Sequence, residues 1–288
     1  MGIFVRLQLV QIIATVSLFS CKYLHVSHLF YIFAAESGRD EWASFPSFAI
    51  VKHFYPDMNN TIRTLTVRFI NDISQTEIPY FRGAIIASVS SDNLLFHNHL
   101  SEGFRYSYPL IQYKRIRGKA AVVCLAEGAD AIGNFFEADG FDVKIGERPV
   151  KLEVDTVKAN RVLVQLWDAM FTYRLNRWLP LNAENYAAYR LLESDEERQA
   201  MLERMLTGNI LSFAKCLGIF FDRQVECRIL TMKAPNCIAY KGTKMLAFDV
   251  EFMTNVSLPD YIGLGKGVSL GNGTVTRKFE KKNEKDNE

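Results

Sequence analysis

"YPLIQYKRIRGKAAVVCLAEG", Tyr108 to Gly128, decides the fold. Tyr108–Ile116 reads as a strand, Arg117 and Gly118 as a turn, and Lys119–Gly128 as the next strand, so the stretch is a hairpin. A helix candidate flanks it on each side. Upstream lies the short apolar segment "EIPYFRGAIIASVS" (Glu77–Ser90), with Pro79 near its start, where proline suits a helix. Before that, "TIRTLTVRFI" (Thr61–Ile70) alternates Ile62, Leu65, Val67 and Phe69 closely enough for a strand. Downstream, "ADAIGNFFEA" (Ala129–Ala138) predicts a helix, and Phe141–Val157 a last strand or hairpin around Gly146 and Pro149. Strand, helix, strand, strand, helix, strand is the ferredoxin-like order.

The second half starts in the same way. "RVLVQLWDAMFTYRLNRWLPL" (Arg161–Leu181) holds strand material ending at Pro180. Asn182 is an N-cap for a long helical region, Ala183–Gly218, and "SDEE" (Ser194–Glu197) is a capping box that would start a second helix. Its alternating charges mark a solvated face. Strands come next at Gln224–Lys233 and Lys244–Val256, then "YIGLGKGVSLGNGTVTRKF" and the polar tail "EKKNEKDNE". The expected fold class is α+β: two ferredoxin-like (RRM-like) domains in tandem, with a C-terminal glycine-rich loop. The second is read as degenerate, having one helical region where a full repeat has two. The expected domains are residues 58–157 and 158–279, joined near 155–160, with a disordered tail at 280–288.

Residues 1–57 do not match the remainder of the chain. "MGIFVRLQLVQIIATVSLFS" carries an apolar run from Leu7 to Phe19, a signal-peptide or weak-anchor pattern that is short for a span of about 20 apolar residues. The alternative is a start placed too far upstream, since Met58 immediately precedes a clean strand. In that case His97 and His99 are the two histidines of the chain, because the others are His25, His28 and His53.

Composition sets outer limits. Of 288 residues 49% are hydrophobic and 12% aromatic, enough for a sizeable core and against wholesale disorder. A net charge of +2 means that any polyanion must be held by a local patch. The five cysteines (Cys21, Cys124, Cys216, Cys227 and Cys237) form no C-x-x-C pair and no zinc spacing, which suits a reducing cytoplasm.

The hairpin is preceded by "FHNHL" (Phe96–Leu100), and its histidines have three readings. A metal nuclease would need further ligands, and the core offers no other histidine. A local polar loop would need nothing more. Against that bland reading stands the company: Tyr106, Tyr108 and Tyr113 come soon after. Between Arg105 and Lys119 lie Arg105, Lys114, Arg115, Arg117 and Lys119, with no acid. Histidine can move a proton near neutrality, and nearby cations can neutralise charge building on a phosphate. Those are the parts for metal-free RNA cleavage by a 2′-hydroxyl.

The segment "GLGKGVSLGNG" has Gly263, Gly265, Gly267, Gly271 and Gly273 around Lys266. It is neither a Walker loop nor G-x-G-x-x-G. The readings are a flexible hairpin or an anion-binding loop whose N–H groups approach a phosphate. With net charge near zero, RNA affinity would rest on Arg105, Lys114, Arg115, Arg117, Lys119, Lys266 and Arg277.

Taken in order, "YFRGAI" (Tyr80–Ile85), "FHNHL", "YPLIQYK" (Tyr108–Lys114) and the terminal glycine loop resemble the CRISPR-associated endoribonucleases that cut precursor CRISPR RNA within its repeats. These are the sixth Cas family, here the branch with its histidine in an HNH-like segment. The resemblance spans Met58 to Lys278. It implies a cut without metal or cofactor that leaves a 2′,3′-cyclic phosphate and a mature guide RNA. It implies His99, or else His97, as general acid–base, Tyr106 as a positioning or proton-donating group, and Lys114 as a stabilising charge. The glycine loop around Lys266 would hold the RNA backbone. The expected partner is CRISPR repeat RNA in the cytoplasm, with no stable membrane association. An effector complex as recipient and self-association are left open, as is a non-catalytic guide-RNA scaffold of the same superfamily. A secreted or anchored binding protein takes the N-terminus at face value.

Overall fold

The computed structural model describes residues 60–89, 108–137 and 141–279. The hairpin is where the sequence puts it: β2 (Ile111–Ile116) pairs with β3 (Lys119–Leu125). Arg117 and Gly118 both have positive φ, 52° and 87°, the signature of the two-residue turn whose twist suits adjoining strands. β3 pairs with β1 (Thr61–Asp72), which pairs with β6 (Val154–Leu163). The sheet order is β2-β3-β1-β6, antiparallel throughout.

One face of this sheet is covered by α1 (Ile78–Ala87) and the short helices α2 (Gly128–Ala131) and α3 (Gly133–Glu137). Leu65, Val67 and Phe69 of β1 meet Ile78, Phe81 and Ile85 of α1 and Phe135 and Phe136 of α3 there. The Phe141–Val157 stretch proves to be a hairpin and the start of a strand. β4 (Asp142–Ile145) pairs with β5 (Arg148–Lys151), and β6 then runs through the expected junction to Leu163. β6 is mostly solvated, with only Val154 buried, so it lacks the apolar alternation that would show its length.

The second domain repeats the topology. β7 (Leu166–Trp178) leads to α4 (Ala183–Leu191) and α5 (Asp195–Cys216). Then come β8 (Cys227–Met232), β9 (Asn236–Tyr240), β10 (Thr243–Val256) and β11 (Thr274–Arg277). The order β11-β7-β10-β8, with β9 hung on β10, ranks the strands as in the first sheet. Both helix-start signals are used. Asn182 Oδ1 accepts from the Asn185 N–H at 2.6 Å, and Ser194 and Glu197 close a capping box. Leu202, Leu206, Ile210 and Phe213 fall on one face of α5 and are buried against the sheet. What differs from a full repeat is the second crossover. Residues 257–273 carry no α-helix, only a 3-10 turn at Val268–Leu270. Among the described residues no helix is long and apolar enough to cross a membrane.

Candidate nucleic-acid interface and domain junction

Alternation along β2 sends its side chains to two destinations. Ile111 and Tyr113 enter the first core, while Gln112, Lys114 and Ile116 point the other way. That second face meets the glycine-rich segment of the other domain. Lys114 has no exposed surface, and its Nζ donates to the Val268 carbonyl at 3.3 Å. Tyr108 fixes the strand's entry. Its hydroxyl donates to the Gly263 carbonyl (2.8 Å) and accepts from the Gly263 N–H (3.2 Å) and from Gln112 Nε2 (2.9 Å). Its ring packs edge-on to Phe213 of α5. Burial pushes the Tyr108 phenol above its usual range. The side-chain oxygens Gln112 Oε1 and Tyr113 Oη are buried with no hydrogen-bond partner among the described residues.

The position of Lys114 corrects its expected role. A wholly buried amine turned toward a carbonyl of its own chain cannot touch a substrate phosphate; it joins the two domains. Desolvation lowers its pKa to about 7. A depressed lysine pKa penalises the folded state fully below about pH 7, and the penalty fades as pH rises toward the ordinary 10.5. Its ceiling is on the order of a few kcal/mol, at about 1.4 kcal/mol per pKa unit. Lys114→Met, which keeps the volume and removes the charge, should therefore melt higher than the native chain at pH 6–7, with the gap narrowing by pH 9–10. A gap independent of pH in thermal melts would show that the ammonium is not desolvated.

The other basic residues are placed less uniformly. Arg115 Nε donates to the Ile73 carbonyl at 2.7 Å, and Lys119 pairs with Asp72 at 3.1 Å. Arg117, at the exposed hairpin tip, makes no ion pair among the described residues. Arg277 stacks over the Phe171 ring at 4.6 Å, and Lys266 is exposed. His97, His99, Arg105 and Tyr106 lie outside the described residues.

The glycines of the segment are explained by packing. A Cβ on Gly263 would lie 3.0 Å from Lys114 Nζ and 2.4 Å from the Val268 side chain. On Gly271, whose φ is +77°, it would lie 2.7 Å from Ile78 of the first domain. Gly265 and Gly267 make equally close approaches to Trp178 and Tyr240. The segment's own N–H groups are largely consumed internally. Those of Gly263, Leu264, Lys266, Gly271 and Gly273 bond to Tyr108, Gly273, Leu179, Val268 and Arg177 respectively. The segment is a packed joint, and the flexible reading does not describe it.

Sequence reasoning singles out neither Tyr108 nor Gln112 as a site residue, and although its Lys244–Val256 strand is β10, it misses β9 and with it the β9–β10 hairpin. "YKGTK" (Tyr240–Lys244) turns through Lys241 and Gly242, both at positive φ, as "RIRGK" does at the first hairpin. That repeated cation-glycine turn is the signal that could have found it. Among the described residues no three His, Cys, Asp or Glu side chains gather as metal ligands.

Two sheets of one topology, joined by a glycine-rich segment over a buried basic strand, define a tandem ferredoxin-like protein. The family models for the Cas6b N-terminal domain and the Cas6b C-terminal domain match residues 60–162 and 165–278. The chain belongs to the Cas6b family. A crystal structure described as Cas6b superposes with a TM-score of 0.70 at 26% identity, covering 76% of this chain and all of that one. A second, described as the CRISPR RNA processing endoribonuclease Cas6b, gives 0.59 at 24% identity over 76% of this chain and all of that one, and shows the shared fold. An uncharacterised protein of Methanocaldococcus jannaschii is 36% identical over 109 residues, 38% of this chain and 73% of that protein.

Proposed function

We propose that this Cas6b-family endoribonuclease cuts CRISPR repeat RNA by attack of a 2′-hydroxyl on the adjacent phosphate. The match of both family models across residues 60–278 is the observation that carries the reading. In the step, the 2′-oxygen bonds to phosphorus as the 5′-oxygen leaves, giving a 2′,3′-cyclic phosphate and a 5′-hydroxyl. The 2′-hydroxyl gives up a proton and the departing oxygen gains one. His99 serves this proton transfer, with His97 orienting it and Tyr106 positioning or protonating. Supporting this, Tyr108, nine residues after His99, is tied by three hydrogen bonds into the domain junction, a rigid footing for the chain that leads out of the histidine segment. Arg105, Arg115, Arg117, Lys119, Lys266 and Arg277 contribute phosphate contacts, of which Arg117 and Lys266 are exposed and make no ion pair among the described residues.

The test is incubation of residues 58–288, which contain both matched domains, with repeat RNA in EDTA. Cleavage should persist, and should stop when the scissile nucleotide carries a 2′-deoxy sugar, because the nucleophile is then missing. Loss of cutting in EDTA with recovery in magnesium or manganese would replace this mechanism with a metal-dependent one.

A further inference from the structure

The β9–β10 hairpin projects beside the glycine-rich segment and encloses a cleft of about 620 Å³ with the start of α4. Its lining includes Lys241, Lys244 and Lys266, together with Tyr186 and Tyr240, and contains no carboxylate among the described residues. All three lysines are exposed, and none makes an ion pair among the described residues. The contrast with the neighbouring sheet is sharp: Arg174 and Lys278 are neutralised on Glu251, and Lys233 lies 4.0 Å from Asp249. Tyr186 is 41% exposed. Tyr240 is held at the cleft by close approach: a Cβ on Gly267 would lie 2.7 Å from its ring. The hairpin is rigid in register, with Thr243 opposite Tyr240 and Lys244 opposite Ala239.

Uncompensated cations repel one another, so three in one cleft without an acid favour an anionic occupant. The exposed Tyr186 ring beside the cations adds a surface on which a base stacks, the combination that single-stranded nucleic acid uses, while Tyr240 is half-buried with Lys241 over its ring at 5.8 Å. An acidic peptide would satisfy the lysines but leave the exposed ring without a specific use. We infer that this cleft binds a single-stranded stretch of the RNA, its phosphates on Lys241, Lys244 and Lys266 and a base against Tyr186. The inference rests on the RNA-processing reading above and adds a second place of contact, apart from the Arg115–Lys119 hairpin.

The experiment measures binding of repeat RNA to the full chain across a salt series, for native protein, Lys241→Ala/Lys244→Ala, Tyr186→Ala, and a control pair, Lys151→Ala/Lys215→Ala. These side chains are all exposed, so folding, checked by circular dichroism, should be kept. Each phosphate contact on a single strand contributes about 0.7 to the slope of log affinity against log salt, so the cleft pair should lower it by about 1.4. Affinity should fall roughly tenfold, and Tyr186→Ala should weaken binding by roughly fivefold or more, as a lost stacking contact does. The control pair should leave the slope near native. Native affinity and slope in the cleft pair would overturn this inference alone and leave the cleft to an acidic protein partner. An equal drop in the control pair would also overturn it, since the effect would then be diffuse. Failure of the native chain to bind repeat RNA would overturn both this inference and the reading beneath it.

Discussion

Replacing His99 with alanine is expected to lower the rate of repeat-RNA cleavage by roughly a hundredfold or more, the usual loss for a removed general acid or base. RNA affinity should be nearly unchanged, because one neutral imidazole contributes little to phosphate binding. The pairing of those two results is the informative part. A variant that fails to bind has lost structure, whereas one that binds and does not cut has lost chemistry. His97→Ala should be milder if that ring orients its neighbour, and Tyr106→Phe should fall between them. Single-turnover rates at saturating enzyme separate the three. If both histidine variants cut at the native rate, the acid–base centre lies elsewhere in the chain. With Lys114 buried in the junction, the proposed mechanism would have to draw its balancing charge at the phosphate from exposed cations such as Arg117.

How far the sequence can be read depends on where each residue's partner lies. β1 and the β2–β3 hairpin are legible because their signals are local: buried Leu65, Val67 and Phe69 recur at every second position, and Gly118 marks the turn. Asn182 and Ser194 are legible for the same reason, since a cap acts within three residues. β6 and β9 are not, because both are mostly solvated strands held by backbone pairing to β1 and β10. Lys114 shows the deeper limit. In "LIQYKRI" the polar Gln112 and Lys114, alternating with Ile111 and Tyr113, look like a solvent face. The cover over that face, Gly263 and Val268, lies some 150 positions away, so nothing local distinguishes a buried lysine from one waiting for a phosphate. The glycine segment misleads in a related way. Five glycines in eleven residues advertise close approach, without saying whether to a ligand or to the protein's own first domain.

That ambiguity is open to measurement at Gly273. Its φ is +61°, and an added Cβ would lie 1.8 Å from the Leu264 carbonyl oxygen, inside any tolerable contact. The clash is with backbone that cannot swing away, because the Leu264 N–H bonds to the Gly273 carbonyl at 2.8 Å and the Gly273 N–H to the Arg177 carbonyl at 3.0 Å. Gly273→Ala must therefore pull the segment off its seat, and with it the neighbouring contacts of Gly263 with Tyr108 and Lys114. Gly242 supplies the control: it has φ +77° but open space around its Cβ position. Gly242→Ala carries only the left-handed strain of about 1–2 kcal/mol, which in a chain of this size lowers Tm by about 2–8 °C. Gly273→Ala carries the strain and the clash together. Its Tm should fall by roughly 10 °C or more, or the protein should fail to accumulate in soluble form, since total stability is only about 5–15 kcal/mol. Limited proteolysis of any folded remnant should cut first within residues 257–273. If the two alanine variants melt together, the segment is not locked against its surroundings, and the glycines would again be free to serve a bound phosphate.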